Sequence, residues 1–424
     1  YALDANTTAN NNVAVGVYGL SANTTGYDNT AVGNRALFVN TTGTNNVAVG
    51  ANALDGIATG SNNTALGFNT LGSASLDSGD NVAVGTYALQ NQTTGNGRCV
   101  AVGKSCLETM TTGSENTAMG WYALADCTSG EANTALGRRA MKNSTTGHNS
   151  VAVGFNALEN NTTGNANTAC GLGALRYNTT ADNNTAVGRD ALTANTTGTK
   201  NVAIGNYCLD GATTGNGNTC VGYWAGSVQT TSNDNTFVGY YAGYPSTGYR
   251  NVAVGSYSGY ELTSGHTNLL LGFQAGYSAS PSGTISTHNY RICLGDNSIT
   301  NAYIKVDWTV TSDRRDKTDI EPFTHGLSWI NKLNPVTYRW DNRSDYEDGV
   351  PDGSKKGSQL NIGLIAQDEL EVEKEHGYGD TSDNMLVSHV NGDGNYGMKY
   401  SRLVPILINA IKELSAEVQA LKAA

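Results

Sequence analysis

The sequence predicts a mainly β chain: a repetitive parallel β-solenoid with one coil for every about 17 residues, followed by a small α+β domain that ends in a helix. Three observations predict it. Glycine recurs at a nearly constant step, a triplet with a two-residue apolar period precedes each of these glycines, and the composition changes abruptly after residue 278.

The repeat comes first in the chain. Sixteen glycines run from Gly16 through Gly33 and Gly50 to Gly272, at a step of seventeen that becomes eighteen twice and sixteen once. The residue before each is apolar, from Val15 to Leu271, and the residue two before is almost always Ala. Four before the glycine stands Asn in fourteen of sixteen units, Cys99 and Ser150 being the exceptions. Stacked Asn side chains bond from turn to turn, and Gly suits a corner whose φ other residues avoid. Gly, Asn and Thr are poor helix formers, and an apolar period of two excludes an amphipathic helix. One coil per repeat, with two short strands, makes a solenoid. At ~4.8 Å per stacked strand, sixteen coils give a rod of roughly 75 Å.

Two further columns vary along the rod. Four residues after the glycine, Leu or Met runs from Leu20 to Leu209 and then gives way to Gly226, Gly243, Gly259 and Gly276. This predicts a narrower cross-section or closer subunit approach in the later coils. Two residues after the glycine, Tyr207, Trp224, Tyr241 and Tyr257 fall on four consecutive turns. Such a stripe serves as a glycan-binding platform or as packing between strands or subunits.

Composition excludes several classes. A formal charge of −11 supplies no basic stripe to replace phosphate counterions, so no nucleic-acid partner is expected. No apolar run approaches the ~20 residues that span a bilayer, so no membrane insertion is expected. The six His lie without ligand spacing, and no metal or cofactor is expected. The seven Cys form no Cys-x-x-Cys; Cys99, Cys106, Cys170, Cys208 and Cys220 replace small or apolar residues of the repeat and read as buried hydrophobes. Acidic residues of the repeats (Asp28, Glu108, Glu131, Asp190) collect in no column, which argues against a hydrolase carboxylate pair. The chain opens in mid-pattern at Tyr1, as a fragment or processed chain would.

After the repeats (1–278) comes a connector, 279–311, with Ser and Pro and then "RICLGDNSITNAYIKVDWTV", which alternates and predicts two strands around a turn at Gly295. Residues 312–424 have the mixed apolar and charged composition of an α+β domain. Its last helix, 403–422, carries Leu407, Ile411, Leu414, Val418 and Leu421 at the 4-3-4-3 spacing of a heptad seam. A helix packed on its own domain and a self-associating helix both fit this spacing.

Between connector and domain stands "VTSDRRDKTDI", with six charges in eleven residues. A serine hydroxyl becomes a nucleophile once a base takes its proton. Lysine is such a base when desolvation or nearby positive charge lowers its pKa. Arg314 and Arg315 supply positive charge beside Lys317, and Asp316 opposes it.

Two resemblances follow. The units "NNVAVGVYGLSANTTG" and "NTAVGNRALFVNTTG" resemble the left-handed β-roll heads of trimeric autotransporter adhesins, although those repeats are shorter. The blocks "SDRRDKTDI", "GLSWINKLNPVTYRW", "NIGLIAQDELE" and "YGMKYSRLVPILINAIKELSAEVQALK", in this order, resemble the C-terminal intramolecular chaperone domain of endosialidase-type phage tail spikes and related fibres. The second resemblance implies a homotrimer whose C-terminal domain templates folding of the upstream β-structure and releases itself by a Ser-Lys dyad. Ser312 maps onto the nucleophile and Lys317 onto the general base, with Asp313, Arg314 and Arg315 in support. The implied scission lies between Ser312 and Asp313, with Thr311–Ser312 as the alternative. The expected setting is a virion tail fibre or spike that meets a host cell-surface glycan or protein receptor. A bacterial trimeric surface adhesin and, further off, a polysaccharide-degrading spike are the competing readings.

Overall fold

A computed structural model describes residues 1–72, 79–93, 97–306, 309–390 and 394–423. It divides the chain into two compact units, one of residues 1–277 with 285–296 and one of residues 278–284 with 297–424.

The first unit is a parallel β-solenoid. Among the described residues, seventeen three-residue strands, β1 (Val13–Val15) through β17 (Ile292–Leu294), form one sheet in which each strand pairs in parallel with the next. Register follows the repeat: Ala31 sits on Ala14, Ala48 on Ala31, and so on along the chain. Each turn contributes one strand, not the two expected, and the rest of the turn is a succession of tight corners. Among the described residues the hairpin expected around Gly295 is absent. Ile292–Leu294 instead pairs with β16 (Leu269–Leu271) and adds a seventeenth rung. Residues 299–306 carry no strand, and Asp307 and Trp308 lie outside the described residues.

The Asn column explains why the stack is regular. Asn29 and Asn46 are fully buried. Asn46 donates through Nδ2 to the Gly60 carbonyl at 2.9 Å, and its backbone N–H donates to Asn29 Oδ1 at 3.0 Å. Asn63 repeats both roles against Asn46 and Ser61. Donor and acceptor are thus satisfied inside the coil, which a buried amide requires. Ser150 keeps part of this pattern, since its Oγ accepts from the Asn167 N–H.

The interior changes composition in the later coils. From Leu20 to Leu209 the fourth residue after glycine is fully buried and sits at φ near +50°. That conformation costs an L-residue ~1–2 kcal/mol, and burial of the side chain offsets it with ~1.5–3 kcal/mol. In the last four coils Gly takes this position, and in three of them the facing Ala is replaced, by Cys220, Phe237 and Leu270, while Ala253 remains in the other. A Cβ on Gly243 would stand 2.5 Å from the Phe237 ring, and one on Gly276 would stand 3.0 Å from Leu270. The volume has moved across the core. Phe237→Ala is therefore expected to cost about 3–5 kcal/mol, and Gly243→Leu in the same chain to recover most of it. Chemical denaturation of the single and double variants checks this.

Of the cysteines read as buried hydrophobes, Cys99, Cys106, Cys208 and Cys220 are buried, with burial pushing the Cys106 thiol up to about 11. Cys170 is the correction: it occupies the outward position before Gly171 and is exposed.

The second unit is a small α+β fold. Helix α1 (Leu327–Ile330) is followed by β18 (Val336–Tyr338), which pairs antiparallel with β19 (Asn361–Gly363). Helix α2 (Ala366–Glu375) comes next, then the antiparallel pair β20 (Ser388–Val390) and β21 (Tyr396–Met398), and finally α3 (Leu403–Ala423). Pro405 stands in the first turn of α3, where its missing N–H costs no helical bond. The core is Trp329, Val372, Val387 and Ile406. Helix α3 is tied down by one face only: Asn409 Nδ2 donates to the Phe323 carbonyl, the Leu327 N–H donates to Glu413 Oε2, each at 2.6 Å, and Gly326 packs on Ala410.

Two carboxylates on α2 lie inside this core. Glu373 accepts three backbone N–H groups, from Leu386, Val387 and Ser388, and so ties β20 to the helix. Glu369 accepts from Trp329 Nε1 at 2.9 Å. Burial pushes its carboxyl up to about 7, the Trp329 bond opposes this, and the Glu373 charge adds to it. A raised acid binds its proton more tightly when folded. Its contribution is complete below the unfolded value of 4.5 and is lost as pH rises through 7. Thermal melts at about pH 5 and about pH 8 should show Glu369→Gln flattening this loss, with His376, His325 and Lys399 nearby left unchanged.

Candidate functional site

The segment after Thr311 is extended until Asp313 caps a single 3-10 turn, Arg314–Asp316. The Asp313 side chain accepts from the Arg315 N–H at 2.9 Å, and the turn closes with the Lys317 N–H on the Arg314 carbonyl. This turn reverses the chain enough to bring the ends of the motif together. Lys317 Nζ lies 2.5 Å from Ser312 Oγ. Two side chains five positions apart in sequence thus make a direct contact between a hydroxyl and an amine.

The supporting residues divide differently from expectation. Arg315 directs its charge to Asp313 through Nε and Nη2, the latter at 2.7 Å from Oδ2. The bonded guanidinium holds the Asp313 carboxyl below the usual carboxylate range. Arg315 thus shapes the turn and is not a bare positive charge beside Lys317. Arg314 is exposed. Asp316 is exposed as well, and among the described residues no ion pair joins it to Lys317. Ser312 and Lys317 are both exposed on the single chain.

The aromatic column on the solenoid is also assembled. Ring centroids are 5.7 Å apart from Tyr207 to Trp224, from Trp224 to Tyr241 and from Tyr241 to Tyr257, the last pair stacked within 3° of parallel. Two neighbouring columns join them, Tyr223 with Tyr240 and Tyr244 with Tyr260, each stacked within 14°. Sequence reasoning missed these two columns, although the positions one and five after the glycine carry the same signal. Of the group, Tyr223 and Tyr240 are the most open, at 40% and 45% exposed.

The family model for the chaperone of endosialidase matches residues 312–378. The match begins at Ser312 itself and takes in the capped turn, α1, the β18–β19 pair and α2. It lies C-terminal to the long β-solenoid. No curated protein matches the chain. Among the described residues no helix is long and apolar enough to cross a membrane.

Proposed function

We propose that this chain is a homotrimeric segment of a phage-type tail fibre or spike, carried on the virion, whose solenoid meets a host-surface glycan or protein. The segment from Ser312 onward acts as an intramolecular chaperone that sets the trimer's register and then cuts itself free. The carrying observation is the contact of Lys317 Nζ with Ser312 Oγ at the first residue of the family match.

Such a dyad has a defined task. Lys317 Nζ takes the Oγ proton, the oxygen attacks a neighbouring peptide carbonyl, and Nζ returns the proton to the departing amine. One water then opens the ester, so scission consumes one water and yields a carboxylate and an amine. Desolvation is what turns an ammonium into a base. The dyad is in contact but open to water on one chain, so covering it by assembly would activate it, and cutting would follow folding. Register matters here because the rungs are nearly alike: a slip by one coil puts Val on Val and Ala on Ala again. A domain of distinctive shape at one end removes that degeneracy.

The receptor face is assigned to the aromatic group around Tyr207, Trp224, Tyr241 and Tyr257, with the open rings of Tyr223 and Tyr240 as its accessible part. The test of the proposed release is the intact mass of the wild-type chain against Ser312→Ala. The test of the trimer is solution mass by light scattering.

A further inference from the structure

The apolar residue before every repeat glycine does not enter the core. In each strand the middle residue points inward, and in β2 to β17 it is fully enclosed or nearly so, whereas the first and third residues point out. None of the thirty-four outward positions on the seventeen strands is buried. All are Val, Thr, Leu, Ile, Met or Cys, without one charge or amide. Val13 and Val15 are 51% and 58% exposed, Leu66 47%, and Ile292 70%. The residue after the glycine extends the strip in some coils, with Val17, Phe68, Trp121, Phe155 and Leu172, and edges it with charge in others, at Lys104, Arg138 and Arg189. The opposite corner is polar and self-satisfied, Thr24, Thr41 and Thr145 each donating through Oγ1 to a carbonyl on the next coil.

Monomers seldom expose apolar patches beyond a few hundred Å². A stable interface takes about 20–30 residues from each side, and this face offers more than that in one unbroken array. The strand positions themselves present no charge for a charged partner to complement. The occupant of the face must therefore be apolar, uncharged and as long as the sheet, and the chain's own sheet has all three properties. The exposed seam of α3 is a second unpaired apolar surface on the same chain, which self-association also accounts for.

We propose that the outward face of this sheet is where copies of the chain meet, equal rung against equal rung. The proposal rests on the trimer above for its copy number, while the face is argued from the strands alone. Rotational symmetry about an axis along the stack brings each residue to its own counterpart.

Cys170 provides the test, because it lies in the strip and the other six cysteines are buried. In the full assembled chain, maleimide should modify Cys170 an order of magnitude more slowly than in denaturant. A short bis-maleimide added during assembly should link chains, and Cys170→Ser should abolish the link. The double variant Val187→Lys, Ile204→Lys should lose the assembled mass while keeping its β circular-dichroism signal. Rapid labelling of Cys170 in a chain that still has trimer mass would overturn the face and leave the trimer standing. A wild-type solution mass of 44.3 kDa would overturn both. A lysine double variant that stays assembled would also overturn the face.

Discussion

Wild-type chain is expected to release a C-terminal fragment of roughly a quarter of its 44.3 kDa mass, and Ser312→Ala to release none. The expectation follows from the contact between Lys317 Nζ and Ser312 Oγ, which supplies nucleophile and base within one turn. Lys317→Met should abolish release as completely, because without a proton acceptor the hydroxyl remains a weak nucleophile. General-base assistance is commonly worth ~10²–10⁴ in rate, enough to turn release within hours into none that a gel detects. Asp313→Asn should slow release to a lesser degree, since it leaves Ser312 and Lys317 in place and loosens only the capped turn. The new amino terminus identifies the bond. Asp313 marks the Ser312–Asp313 scission that the family resemblance implies. Ser312 marks attack of Oγ on the Thr311 carbonyl through a five-membered ring. A fragment of equal yield from Ser312→Ala would remove the dyad from the mechanism and leave the chaperone role to be judged on folding alone.

What the sequence made legible, and what it hid, divides along physical lines. The glycine, alanine and asparagine columns each obey a backbone requirement that recurs once per coil, so the solenoid could be read before any contact was seen. Which side of each strand faces water could not. Val15 and Ala14 are both apolar, and only the observed coil shows that Ala14 points in and Val15 out. The exchange of Leu for Gly at Gly243 was visible, but its compensation by Phe237 lies six positions away in a column that looked like noise. The seventeenth rung was hidden because its loop is longer: Asn268 Oδ1 accepts from the Arg291 N–H 23 residues on, and the regular step is lost there. At the candidate site, Ser312 and Lys317 came from a motif, whereas the pairing of Arg315 with Asp313 depends on a turn that spacing alone does not specify. Glu369 and Glu373 had no signal, because an acidic pair at helical spacing most often faces solvent.

Replacing two seam residues of α3, Ile411→Asp with Leu414→Asp, should abolish assembly and leave the rest of the second unit folded. The seam residues Leu407, Ile411, Leu414, Val418 and Leu421 are 43%, 67%, 51%, 41% and 79% exposed, while Ile406 and Ala410 are the buried residues of this helix. On the single chain most of the seam is therefore open to solvent, while Leu407 lines a cavity with Ile330, Leu333 and Leu364 of the same unit. Each seam side chain buried by a partner contributes ~1.5–3 kcal/mol, and the loss recurs in every copy. Two aspartates per chain also bring like charges together at the centre of the bundle, where low dielectric raises their cost. Because Asn409, Ala410 and Glu413 anchor the helix on its other face, the domain's own packing survives the substitutions. Light scattering of the full chain should then show the monomer mass, and release at Ser312 should fail with it if assembly is what covers the dyad. Retained trimer mass would mean that the sheet face holds the copies together without the helix. Retained release from a monomer would separate cutting from assembly, and the dyad would then have to work in open water.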